Sequence, residues 1–248
     1  MNPVIELQLE HKSIRRFKKE LISEDLVSTL VDVAQHTATS NYAQSYSIMS
    51  ITDVDKKKRI AEIGKQSYIA ESGHLFIMLA DQARNAAIVE ESGEKTEIFS
   101  SFDKFFIGAT DAILAAQNII IAAESLGIGG VLLGSILNEV DELSELLDLP
   151  AFVVPVLGIA LGYPDQEPQS KPRLPQKLVH FENNYPKWQN ISSKLEDYDN
   201  TVTEYYNARE SNKRIETFAQ MITHWSLVTH PGRLKMLNYI QKQKLIKF

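Results

Sequence analysis

One stretch restricts the possible folds more than any other. Between about Asp103 and Leu126, Phe106, Ala109, Ile113, Ala116, Ile120 and Ala123 recur at helical spacing. Alanines 109, 112, 115, 116, 122 and 123 let a neighbouring helix approach closely. The segment is apolar around much of its circumference, so it belongs inside a core rather than at its rim. Its most apolar part, Ile113 to Leu126, is broken by Gln117, Asn118 and Glu124, and is too short and too polar for a bilayer span. Gly127 ends the helix in the usual way, by relieving a left-handed turn.

Around it the chain reads as alternating classes. His74 to Asp81 (HLFIMLAD) is a continuous apolar run, the pattern of a strand buried on both faces. Ile128–Leu133 and Phe152–Tyr163 read as further buried strands, and Ser47–Asp53 as an alternating one. Helices are predicted over residues 3–10, from Ser23 with a stripe of Leu26, Leu30, Val33 and Ala34, over Asp55–Gly64, and over Asn138–Leu147. Three more follow at Trp188–Ala208, Arg214–Val228 and Gly232–Leu245. Residues 37–46 are a polar loop, 82–102 show no assignable pattern, and 164–176 form a proline-rich connector. Strands in the middle and helices on both flanks give an α+β class. A single domain over 1–248 is expected, with 188–248 a helical C-terminal extension.

Composition excludes several chemistries. The 248 residues include no cysteine, so disulfides, thiolate nucleophiles, iron–sulfur clusters and Cys-zinc sites are impossible. Redox chemistry would need a bound cofactor. A net charge of −6 argues against a dedicated nucleic-acid binder. The charged N-terminal sequence MNPVIELQLEHKSIRRF has no apolar leader pattern, and a cytoplasmic protein without a membrane partner is expected. None of the six histidines has metal-ligand spacing with another, and no serine sits in a nucleophile elbow. Gly127-Ile-Gly129-Gly130 does not fit the dinucleotide motif, because Leu132 stands where the third glycine belongs. Those glycines read either as a helix end and turn or as bare backbone for a flat ligand.

Two short segments carry candidate ligand chemistry. In an extended chain His11, Ser13 and Arg15 share one side, which suits a polar or anionic ligand. Lys171-Pro172-Arg173 repeats the pattern as a two-pronged cationic clamp. Each also reads as solvated loop charge.

Taken in order, these segments resemble the nitroreductase superfamily, in its flavin oxidoreductase and oxygen-insensitive NADPH nitroreductase branch. The likeness spans the chain. It rests on His11-Lys-Ser13-Ile-Arg15-Arg-Phe17, Thr39-Ser40-Asn41-x-x-Gln44, Ala122-Ala-Glu-Ser-Leu-Gly127-Ile-Gly129-Gly130, Leu161-Gly-Tyr-Pro164, Lys171-Pro-Arg173-Leu-Pro and Tyr205-Tyr-x-x-Arg209-x-Ser-Asn-Lys213-Arg214. The resemblance implies a central, mostly antiparallel sheet flanked by helices, an intertwined homodimer, and bound FMN. It implies that His11, Ser13, Arg15, Lys171 and Arg173 hold the flavin phosphate and ribityl chain. Thr39, Ser40 and Gln44 belong to a flavin-contacting loop, with Ser40 and Gln44 reaching across the subunit interface. Gln66 and Tyr68 stand where relatives have flavin-contacting polar residues, and Gly129 and Gly130 lie beside the ring. Arg209 and Arg214, with Lys213, resemble the site for the 2′-phosphate of NADPH. The implied activity is hydride transfer from NADPH through FMN to flavins, nitroaromatics, quinones or azo compounds by a ping-pong route, with no side chain as an obligate catalytic acid or base. An alternative is a flavin-binding or flavin-delivering protein without robust turnover, against which Arg209 and Arg214 weigh. The sequence departs from the family pattern at Thr39-Ser40-Asn41, at Leu137 in place of an arginine, and at Glu210 in place of a glycine.

Overall fold

The run His74–Asp81 is central to the main core. It is strand β2 of a four-stranded sheet, with β1 (Tyr46–Ser50), β3 (Gly129–Leu133) and β4 (Val153–Gly162). The order is β1-β2-β4-β3 and every pairing is antiparallel. All eight β2 residues are buried. Because strand side chains alternate, Leu75, Ile77 and Leu79 enter one core layer, while Phe76 and Met78 enter the other. Each such side chain contributes about 1.5–3 kcal/mol on burial.

The computed structural model describes residues 1–208 and 216–247. Its helices are α1 (Pro3–Leu9), α2 (Glu24–Gln35), α3 (Val54–Gly64), α4 (Tyr68–Glu71), α5 (Ala83–Glu91), α6 (Phe102–Ser125), α7 (Val140–Leu146), α8 (Ile191–Asn207), α9 (Phe218–Leu227), α10 (Pro231–Leu234) and α11 (Met236–Lys242). Two packed units result: Met1–Pro168 with His230–Phe248, and Gln169–Thr229. The helices expected as one extension over 188–248 therefore fall in both. The helix expected over Gly232–Leu245 is two short ones, and the unassigned 82–102 contains α5.

Helix α6 covers one sheet face. Ser101 caps its start, accepting from the Lys104 N–H. At its end Gly127 has φ +74°, the Ile128 N–H reaches the Ala123 carbonyl at 2.9 Å, and the Gly127 N–H reaches Glu124 at 3.0 Å. That pair of bonds satisfies the last carbonyls. The buried stripe is Gly108, Asp111, Ala112, Ala115, Ala116, Ile119, Ile120 and Ala123. The predicted stripe is right in its second half and wrong in its first, since Phe106 and Ile113 are exposed. By length and apolarity alone α6 would also pass as a membrane span, but its inner stripe is occupied by the core. A similar correction applies to α2, where Val27 and Val31 pack and Val33 is turned outward.

Behind the opposite face, α3 buries Lys57, whose ammonium donates to the Ser72 carbonyl. Burial holds that ammonium below its usual range. His74 lies nearby, its Nε2 3.1 Å from Ser50 Oγ, its ring against Phe76. Burial, and next the Lys57 charge, hold its imidazole down to about 4.

A third cluster of the first unit joins Val140 and Val154 to Tyr239, Ile240, Leu245 and Ile246 from the returning chain. Among the described residues the second unit has one cluster, Leu195, Tyr198 and Val202 of α8 against Leu174, Leu178, Phe218 and Met221. Thr217 and Gln220 form a capping box on α9, and Asp199 accepts from the Ala219 N–H at 3.0 Å, tying α9 to α8.

Candidate functional site

Residues 11–18 form an extended strap along the ends of β3 and β4. Ser13 pairs with Gly130, and Phe17 with Pro164. The Ile14 N–H donates to the Gly130 carbonyl at 2.9 Å, and the Lys18 N–H to Tyr163 at 2.9 Å. Ile14 and Phe17 enter the core, which leaves Ser13 half-buried and Arg15 exposed. The strap also explains Gly129, while Gly130 is packed by Leu161 and Ile120. A Cβ on Gly129 would stand 2.5 Å from Ile14 Cγ1, and one on Gly130 2.7 Å from Leu161. Close packing by the strap therefore favours glycine at 129, whereas a side chain at 130 would have to displace the ends of Leu161 and Ile120. His11 turns to the last turn of α6, its Nδ1 2.5 Å from Glu124 Oε1.

Arg15 meets a corner made by α3 and α4. Helix α3 ends with Lys65 at φ 52°, which turns the chain so that Gln66 and Tyr68 follow in sequence on a tight bend. Burial pushes the Tyr68 phenol up, and the adjacent Arg15 guanidinium, hydrogen-bonded to it, pulls it back. The Gln66 Oε1 accepts from Ser135 Oγ at 2.7 Å. That contact uses the amide oxygen internally and leaves its NH2 as the donor. The Gly134–Asn138 turn carrying Ser135 is clamped from the returning chain. Arg233 donates to the Gly134 carbonyl at 2.5 Å and to Asn138 Oδ1 at 3.1 Å.

Thr39, Ser40 and Gln44 lie on the loop before β1. Three of its residues, Asn41, Tyr42 and Gln44, have left-handed backbone. The carboxylate of Asp111 accepts from the Ser40 N–H at 3.2 Å and the Ser45 N–H at 3.1 Å. Asn118 donates to Thr37 at 2.7 Å, and Arg84 donates to the Gln44 carbonyl. Tyr46, at the loop's end, has its phenol pushed up by burial first and then by Asp111. Among the described residues no hydrogen bond joins this loop to Ser13, Arg15, Gln66 or Tyr68.

Lys171 and Arg173 belong to the second unit. The Arg173 guanidinium folds back to the Lys171 carbonyl at 2.9 Å, and the Tyr198 hydroxyl donates to the Pro172 carbonyl at 3.3 Å. Arg209, Lys213 and Arg214 lie outside the described residues, as does Glu210. The sequence reading missed Asp111, Ser135 and Arg233. Only Asp111 left a signal, as a carboxylate on the small-residue side of a core helix. Ser135 and Arg233 act through contacts that exist only in the fold.

Comparison with known proteins matches this geometry to a family. The Nitroreductase family profile matches residues 9–163, and that of the Nitroreductase family, C-terminal domain, matches residues 171–247. A Bacillus subtilis (strain 168) protein named FMN reductase (NADPH) is 39% identical over 228 residues, which cover 91% of this chain and 92% of that one. A Staphylococcus aureus NADPH-dependent oxidoreductase is 38% identical over 248 residues, covering 98% of each. The structure of NfrA1 nitroreductase from B. subtilis superposes with a TM-score of 0.91 at 36% identity, covering 97% of this chain and 98% of the other. That of the Vibrio harveyi NADPH:FMN oxidoreductase complexed with NAD+ gives 0.85 at 30% identity, covering 98% of each. The α+β architecture, the antiparallel sheet and the ordered motifs agree with these matches over nearly the whole length, and the chain belongs to the nitroreductase family.

Proposed function

We propose that this protein is an FMN-dependent oxidoreductase that takes hydride from NADPH and reduces small acceptors in a second half-reaction. The observation that carries this reading is the gathering of Tyr68 and Gln66 beside Arg15 on the strap that pairs with Gly130. A permanent cation, a phenol and an amide NH2 suit a phosphorylated, polar-edged ligand, so the donor set fits FMN. The names of the relatives point the same way.

When bound, FMN supplies the two-electron chemistry that no side chain of this cysteine-free chain can supply. The chain's own residues bind and orient. His11, Ser13 and Arg15 hold the phosphate and ribityl chain, and the family likeness gives Lys171 and Arg173 the same groups. Gln66 and Tyr68 meet the flavin's polar edge, and the backbone at Gly129 and Gly130 flanks its ring. Thr39, Ser40 and Gln44 belong to a loop that meets it, with Ser40 and Gln44 reaching across the interface of a homodimer. The outer face of α6, with Phe102, Phe106, Ile113 and Leu114 exposed and the two phenylalanines stacked at 5.9 Å, supplies apolar surface for that interface. Arg209 and Arg214, with Lys213, receive the 2′-phosphate of NADPH. No side chain acts as an obligate acid or base, and the order is ping-pong. The acceptors are free flavins, nitroaromatics, quinones or azo compounds. The protein works in the cytoplasm, without a nucleic-acid or membrane partner.

The test is the absorption spectrum of the purified protein. It should show flavin bands, release near-stoichiometric FMN, and bleach with NADPH. A colourless preparation that FMN cannot reconstitute ends this reading. Sedimentation at micromolar concentration should give a dimer, and an FMN-bound monomer would refute the assignment of the α6 face.

A further inference from the structure

The loop before β1 holds a backbone that its sequence does not favour. Asn41, Tyr42 and Gln44 have φ of 52°, 57° and 47°. Side chains with a Cβ resist that region, bulky ones such as Tyr42 most. Tyr42 is also 83% exposed, so its own packing does not enforce the shape.

The restraint comes from two helices. Asp111 on α6 is 1% exposed, and each of its oxygens accepts one loop N–H, from Ser40 and Ser45. One turn earlier, a Cβ on Gly108 would stand 2.8 Å from the Ser45 carbonyl, so glycine is what lets the loop backbone reach α6. From the other side Asn85 on α5 donates to the Ala43 carbonyl at 3.1 Å. A carboxylate placed among buried alanines is costly unless its hydrogen bonds are made. Here those bonds go to the loop.

We propose that Asp111, assisted by Asn85, is a positioning residue that fixes the Thr39–Gln44 loop in its flavin-meeting shape. This rests on the flavin reading above. Their bonds go to the loop backbone. They act by setting the fraction of molecules whose loop is ready to bind, and apparent affinity scales with that fraction.

The experiment titrates FMN into the apo-protein by flavin fluorescence, for the wild type, Asp111→Asn, Asn85→Ala and Ile119→Val. Asp111→Asn keeps the size but turns an NH2 towards one loop N–H. It should weaken FMN binding about tenfold, and Asn85→Ala about threefold. Circular dichroism should show both variants folded. Ile119→Val thins the core on the same helix, lowers Tm and should leave FMN affinity within about twofold. Unchanged affinity in folded Asp111→Asn and Asn85→Ala overturns the proposal. Equal weakening by Ile119→Val at a matched loss of Tm reduces the effect to general stability and also overturns it. If Asp111→Asn does not fold, Asn85→Ala decides. A wild type that binds no FMN overturns the flavin reading and this inference together, whereas normal wild-type binding with unaffected variants overturns this inference alone.

Discussion

The two units differ in what lies beneath the residues proposed to bind the cofactor. In the first, the strap, the Gln66–Tyr68 corner and the Asp111 loop are bonded to elements with core on both sheet faces. In the second, among the described residues, Lys171 and Arg173 rest on a single cluster centred on Leu195, Tyr198 and Val202. So small a core supports little stability of its own. Arg15 and the shape-defining contacts are therefore built on deep packing, and Lys171 and Arg173 on shallow packing. A flat ring demands position to a fraction of an ångström, whereas a phosphate attracts a guanidinium over several.

The largest expected effect tests this contrast directly. Leu75→Ala, at a fully buried β2 position, should cost about 4 kcal/mol, and Leu195→Ala about 2 kcal/mol. Urea titration followed by tryptophan fluorescence and circular dichroism should also show the second loss as local. Equal costs would erase the distinction.

Next comes pH. The folded His74 titrates at about 4 and the unfolded residue near 6.5. The stability of the neutral fold is complete above about pH 6.5 and is lost as pH falls towards 4, then levels off. The loss is at most about 3 kcal/mol, lowered by whatever solvent screens the site. Hydrogen exchange should show β2 loosening over that window while α8 does not, and His74→Phe should flatten the slope. An unaltered slope in the variant would assign the effect elsewhere.

Affinity gives a smaller but sharper comparison. Arg15→Ala and Arg173→Ala should each weaken FMN binding about 10- to 150-fold, the range for one charge-assisted hydrogen bond. Arg15, set against the half-buried Tyr68, should lie at the upper end. A larger loss at Arg173 would reverse the ranking of the two regions. Smallest is cofactor choice: Arg209→Ala or Arg214→Ala should lower kcat/KM for NADPH about tenfold and leave NADH nearly untouched. Parallel losses with both cofactors would remove these arginines from the phosphate site.

Much of the scaffold was legible in the residues. The run at 74–81 announced a doubly buried strand, and Ser23 and Gly127 marked real helix ends. Helix faces were harder to read. Phe106 and Ile113 belong to an apolar stripe by spacing, yet the core takes Gly108, Ala112 and Ala115, because the loop and α2 press too close for larger side chains. The glycines at 129 and 130 read in the sequence as a helix end and turn or as bare backbone for a flat ligand, and in the fold a Cβ at these positions would meet Ile14 and Leu161. Arg233 could not be foreseen, since its bonds to Gly134 and Asn138 span some hundred positions of chain.

Gly232 fits beneath the Asn138 carbonyl so tightly that a Cβ would stand 1.6 Å from its oxygen. There the chain, having left the first unit after Pro168, comes back to it. Behind it Tyr239, Ile240, Leu245 and Ile246 cover Val140 and Val154, and the Phe152 N–H donates to the Gln243 carbonyl at 2.7 Å. On the ribosome those residues emerge after everything else in both units. Val140 of α7 and Val154 near the start of β4, although translated early, stay uncovered until the second unit has been made. Translation thus starts with the larger unit and seals it last, and a chain stalled before His230 would present Val140 and Val154 to water and to other stalled chains.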